Sequence, residues 1–128
     1  MGYDARLRVY LVEDSSLLRD HLTDCVTEND FGNVVGFADN EDDALTEILR
    51  LKPDAVLLDI QLRVGNGLNV LRKLRALQQE AMPTVIVFTD FALTDFGRFS
   101  ISHGARYFLD KSSGLKQLGA LLRTLDVR

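Results

Sequence analysis

Five short apolar runs rich in β-branched residues alternate with five stretches whose apolar residues recur at helical spacing, and this alternation constrains the fold more than any other feature. The strand-like runs are RLRVYLVED (6–14), NVVGFA (33–38), DAVLLD (54–59), TVIVFTD (84–90) and ARYFLDKSS (105–113). Between them, Leu18, Leu22, Cys25 and Val26 mark a first helix. Ala44, Leu45, Ile48 and Leu49 mark a second, with Asn40 as its N-cap, Glu41, Asp42 and Asp43 at its positive end, and Pro53 as its stop. A third carries Leu68, Leu71, Leu74 and Leu77. A weaker fourth, LTDFGRFSISHG (93–104), has Gly97 inside, ends at Gly104 and is expected to pack through Phe91, Phe96 and Phe99. Leu115, Leu118, Leu121, Leu122 and Leu125 mark the fifth. Strands separated by helices imply a parallel sheet covered on both faces, that is, a doubly wound α/β fold with five strands and five helices. Alternation alone leaves the strand order open.

The 128 residues fit one domain, 1–128, and 46% hydrophobic content suffices for one core. The longest apolar runs fall far short of the ~20 residues of a spanning helix. The opening MGYDARLRVY has no apolar signal region, and Arg6 stands where a myristoylation signal wants Ser or Thr. One cysteine, Cys25, excludes an internal disulfide and a cysteine-ligated zinc. A net charge of −4 without a basic block argues against direct nucleic-acid binding. The expectation is a cytoplasmic protein with no membrane segment.

In a parallel sheet every strand ends on the same edge, where ligands bind. Strand one delivers Glu13 and Asp14 there, strand three Asp59, strand four Thr89 and Asp90, strand five Asp110 and Lys111. Glu13, Asp14 and Asp59 in one pocket repel each other unless a counter-charge is present. A hard divalent cation supplies it, and all-oxygen donors suit Mg2+ better than zinc. Neither His21 nor His103 falls at a strand end. Lys111 and the Thr89 hydroxyl suit a phosphoryl group, and a carboxylate can itself be the nucleophile. Asp59, placed centrally, is the candidate.

These residues together resemble the receiver domain of bacterial two-component response regulators over nearly the whole chain. The resemblance rests on VED at 12–14, LLD at 57–59, Gly67 eight residues after Asp59, FTD at 88–90 with Thr89 thirty after Asp59, and FLDK at 108–111 with Lys111 twenty-two after Thr89. It implies a flavodoxin-like sheet in the order 2-1-3-4-5. It implies that Asp59 accepts a phosphoryl group from the phosphohistidine of a sensor histidine kinase or phosphotransfer protein. Asp14, Asp59 and the backbone carbonyl of Gln61 would hold Mg2+, with Glu13 acting through a bound water. Thr89 and Lys111 would contact the phosphoryl oxygens. Phe108 would couple the Thr89 shift to the face of the fourth helix, fifth strand and fifth helix, which would meet an output protein, an output domain or a second copy. The module would be no enzyme beyond its own phosphorylation and dephosphorylation.

Four positions depart from the family pattern. Arg63 and Ser112 stand where proline is common, and Phe108 replaces the commoner tyrosine. A non-proline cis bond costs roughly 2.5–4 kcal/mol, so Lys111–Ser112 is expected trans or strained. Asp90 adds an acid where the family usually has a small residue. These departures keep open a receiver-like interaction module that is not phosphorylated. A phosphatase of the haloacid-dehalogenase type would need an acid two residues after its nucleophile, where this chain has Gln61. Gly65-Asn66-Gly67 lacks the spacing of a dinucleotide-binding loop.

Overall fold

The computed structural model describes residues 6–77, 82–90, 94–112 and 114–125. Its elements run β1 (Leu7–Val12), α1 (Ser16–Thr27), a 3-10 turn (Glu28–Asp30), β2 (Gly32–Ala38), α2 (Glu41–Leu51), β3 (Ala55–Leu58), α3 (Gly67–Leu77), β4 (Thr84–Thr89), α4 (Thr94–Ser102), β5 (Ala105–Asp110) and α5 (Gly114–Leu122). The strands pair in parallel in the order β2-β1-β3-β4-β5. This is the doubly wound sheet expected from the alternation, in the order expected from the resemblance.

The three central strands are apolar on both faces because each face meets helices. Tyr10, Val12, Val56, Leu58, Val85 and Val87 point into a cluster shared with Ala44 and Ile48 of α2 and Val70, Leu71 and Leu74 of α3. Their alternates Val9, Leu11, Ala55, Leu57, Ile86 and Phe88 point the other way, onto Leu22 and Val26 of α1 and Leu118 and Leu122 of α5. Period-two alternation thus builds two cores from one continuous apolar run. Each fully buried Leu or Ile in them stabilises the fold by roughly 1.5–3 kcal/mol.

The helix ends are set locally. Asn40 caps α2 as expected, its side chain accepting from the Asp43 N–H at 2.9 Å. At the other end Lys52 turns left-handed before Pro53. The Arg8 guanidinium donates to the exposed carbonyls of Leu51 (2.8 Å) and Lys52 (3.0 Å). Gly104 follows α4 at a φ of 102°, the expected stop.

The third helix forms over Leu68, Leu71, Leu74 and Leu77 as expected. Leucines three apart drift by about 60° per step around a helix, so Val70 completes the buried arc with Leu71 and Leu74, and Leu77 is 63% exposed. One expectation is corrected: Phe99 is exposed and stacks on His103 with ring centroids 4.1 Å apart rather than entering the core. Phe91 lies outside the described residues, as does the side chain of Phe96, and with them their expected packing. The Lys111–Ser112 bond is trans.

Candidate functional site

Glu13 and Asp59 lie one residue past their strands, yet the sheet still holds their backbone. The Glu13 N–H donates to the Ala38 carbonyl at 3.0 Å, and the Asp59 N–H to the Val12 carbonyl at 2.9 Å. Likewise the Lys111 N–H donates to the Thr89 carbonyl at 2.9 Å. Rigid strands therefore set three side chains at one edge. The Lys111 ammonium donates to Asp59 Oδ2 at 2.8 Å and lies 3.0 Å from Glu13 Oε1.

Glu13, Asp14 and Asp59 each bring a carboxylate oxygen into a group spanning no more than 4.8 Å. Glu13 and Asp59 are buried, whereas Asp14 is exposed. Burial pushes the Glu13 carboxyl up to about 7, and the charge of Asp59 adds to the rise; hydrogen bonds from Lys111 and the Ser15 N–H hold it back. Burial works to lower the Lys111 ammonium, but its hydrogen bonds to Asp59 and Glu13 prevail and raise it. One lysine therefore answers two buried carboxylates, and the third acid adds charge beside them.

An open cavity of about 730 Å3 lies over this cluster. Glu13, Asp14, Asp59, Gln61, Asp90 and Lys111 line it. Asp90 is thus part of the cavity wall, and among the described residues no hydrogen bond or ion pair holds it. Arg63 turns away: its guanidinium meets Asp39 Oδ2 at 2.9 Å and is 70% exposed. Gln61 is exposed, and its backbone N–H donates to Asp59 Oδ1 at 3.2 Å.

Thr89 is not among the residues that line the cavity. It is fully buried, and among the described residues its Oγ1 has no hydrogen-bond partner. Phe108 is half-buried against the cluster shared by α2 and α3. In the β4–β5 register Phe108 pairs with Val87 and Asp110 with Thr89, so Phe108 and Thr89 are diagonal neighbours on one face. Asp110 Oδ1 accepts from both the backbone and the hydroxyl of Ser112 at 2.9 Å, which shapes the turn after Lys111.

Other wall residues were not anticipated. Ser15 lines the cavity, caps α1 by accepting from Leu18 N–H at 3.2 Å, and donates its own N–H to Glu13 Oε2 at 3.1 Å. Its signal in the sequence is a serine directly before a helical apolar run. Gly65 and Asn66 also line the cavity. Gly67 packs so closely under Asp59 that a Cβ there would sit 2.0 Å from the Asp59 carbonyl oxygen, which accounts for a glycine at that spacing.

Comparison with known proteins agrees with this geometry. The family model for the response regulator receiver domain matches residues 9–123. A protein-glutamate methylesterase/protein-glutamine glutaminase from Syntrophomonas wolfei is 34% identical over 118 residues, covering 91% of this chain and 33% of the relative. The chain therefore spans about a third of that relative's length. The response regulator domain of Thermotoga maritima CheB superposes with a TM-score of 0.78 at 26% identity, covering 93% of this chain and 92% of that one. The beryllofluoride-activated N-terminal receiver domain of Klebsiella pneumoniae RstA does so with a TM-score of 0.79 at 26% identity, covering 92% and 97%. The chain belongs to the response regulator receiver domain family.

Proposed function

We propose that Asp59 accepts a phosphoryl group from the phosphohistidine of a sensor kinase or phosphotransfer protein, in a reaction that depends on Mg2+. The observation that carries this reading is the grouping of a buried aspartate, two further carboxylates and a lysine in one open cavity. A carboxylate oxygen of Asp59 attacks phosphorus, a P–O bond forms, and the P–N bond to the donor imidazole breaks. The product is an acyl phosphate on Asp59. Lys111 already contacts an Asp59 oxygen and offers its charge to the incoming phosphoryl oxygens.

The residues present fit Mg2+. The donors are hard oxygens, and burying Glu13 beside Asp59 has a cost that a divalent cation would remove. Asp14, Asp59 and the Gln61 carbonyl would hold the ion, with Glu13 acting through water. Bound there, Mg2+ would neutralise charge on the phosphoryl group. The buried, unpartnered Thr89 hydroxyl costs about 1–3 kcal/mol as it stands. Moving toward a phosphoryl oxygen would give it an acceptor. The diagonal neighbour Phe108 would then carry that shift to the face of α4, β5 and α5, where an output protein, an output domain or a second copy would bind. No turnover of an external substrate is assigned, because Gln61 occupies the position a phosphatase would fill with an acid. Among the described residues no helix is long and apolar enough to cross a membrane.

Asp90 favours a second reading, a receiver-like module that binds its partner without phosphorylation, since this fourth acid is among the residues that line the pocket a dianion would enter. Beryllofluoride with Mg2+ separates the two. Saturable binding at one site, with amide shifts at Thr89 and on β5, supports phosphoryl acceptance. An unchanged spectrum favours the second reading.

A further inference from the structure

Outside the cluster of acids, one side chain makes more contacts to the cavity wall than any expectation from the sequence assigned to it. Glu41, in the first turn of α2, reaches across to the loop between β3 and α3. Its Oε1 accepts from the Asn66 N–H at 3.0 Å and from the Asn69 amide at 3.3 Å. Its Oε2 meets the Lys73 ammonium at 2.8 Å. Its own N–H donates to the Val64 carbonyl at 3.1 Å. The side chain is only 14% exposed.

The loop is shaped to receive it. Gly65 has a φ of 88°, and a Cβ there would sit 2.3 Å from the Glu41 Cβ. Only glycine admits both the left-handed backbone and the close approach. Asn40 bridges Val64 in parallel, and Gln61 bridges Asn66 in antiparallel fashion. The residue whose N–H Glu41 grips is thus the one that pairs with Gln61.

We propose that Glu41 is a positioning residue for the cation site: it latches the β3–α3 loop so that the Gln61 backbone is preset against Asp59 before the metal arrives. The inference rests on the proposed Mg2+ role of the Gln61 carbonyl. Glu41 does not line the cavity and touches neither the cation nor the phosphoryl group; it acts through Asn66 and Gln61. A groove preset in this way spares the ordering of a loop on binding.

The test uses the full chain in three variants. Glu41→Asp keeps the charge but shortens the reach to Asn66. Glu41→Gln loses the charge but keeps an oxygen at that reach. Lys73→Met removes the ion pair and leaves the contacts to the loop. Mg2+ affinity is read by calorimetry, and amide hydrogen exchange at 61–66 is read without metal. Glu41→Asp should weaken Mg2+ about tenfold and speed exchange of the loop. Glu41→Gln should recover most of that loss, and Lys73→Met should stay within about twofold of wild type, because the Lys73 end of the pair is solvent-exposed and, among the described residues, makes no hydrogen bond with the loop. Faster exchange in Glu41→Asp with wild-type Mg2+ affinity would overturn the inference and leave the proposed function standing. Wild-type affinity in Glu41→Asp with a loss in Glu41→Gln would make the effect one of charge and also overturn it. A wild-type chain that binds no Mg2+ would defeat the proposed function and this inference together.

Discussion

Lys111 reaches Asp59 over the end of β4, from the last strand of the sheet to its middle, and closes the gap to 2.8 Å. The same ammonium lies 3.0 Å from Glu13, beyond β3 on the β1 side. One lysine thus ties three strand ends together, and it does so where any phosphoryl group bound to Asp59 would have to sit.

Removing that lysine exposes the cost of the acids. Lys111→Met keeps the apolar stem and deletes the charge. It leaves Glu13 and Asp59 buried beside each other with no cation. Without Mg2+ at pH 8, denaturant unfolding should show a loss of about 1–3 kcal/mol. The loss should shrink toward pH 5.5, where Glu13 takes a proton. An equal loss at both pH values would show that the lysine matters for packing alone.

Glu13 also sets a pH dependence. Its folded pKa, about 7, lies above the ordinary glutamate value of 4.5. Between those values the folded state holds a proton that the unfolded state has lost. Its contribution to stability is therefore full below about 4.5 and falls as pH rises to about 7. Mg2+ competes with that proton, so its affinity should rise with pH up to about 7, by at most about tenfold per unit, and then level off. Calorimetry in buffers of different ionisation enthalpy reads the proton released. A Mg2+ affinity that is flat from pH 6 to 8 would remove Glu13 from the site's electrostatics. In Glu13→Gln the pH dependence should vanish.

Asp90 should act as an electrostatic brake. It lines the cavity, and nothing among the described residues neutralises it. Asp90→Ala should speed phosphorylation by acetyl phosphate several-fold at low ionic strength, with the advantage shrinking as salt is added. Asp90→Asn should behave similarly if charge is the cause. A rate unchanged in both variants would clear Asp90 and leave the pocket indifferent to a fourth acid.

What the sequence made legible was whatever repeats or sits at a strand end. β3 and β4 were readable as buried strands because they are apolar on both faces, and Glu13, Asp14, Asp59, Thr89 and Lys111 were readable because parallel strands end on one edge. Cap chemistry at Asn40 was readable because it is local. The strand order came from the resemblance, since alternation permits several. Features that depend on loop conformation were not readable. Nothing in the residue pattern says that Glu41 would close on Asn66, because that contact needs Gly65 left-handed and the loop folded back on itself. Burial was half readable. The pair Glu13-Asp14 reads alike in sequence, yet one side chain is buried against Lys111 and the other is exposed. The leucine spacing marked α3 but not which leucines are buried, because a spacing of three drifts around the helix and leaves Leu77 exposed.

The central claim is that Asp59 is a phosphoryl acceptor in a Mg2+-dependent site. Intact-mass measurement after incubation with acetyl phosphate tests it most directly, on wild type and Asp59→Asn, each with Mg2+ and with a chelator. The wild type with Mg2+ should gain one phosphoryl mass, lost under mild base or hydroxylamine, and the chelated sample and Asp59→Asn should gain none. An unmodified wild type, or an adduct that persists in Asp59→Asn, would contradict it.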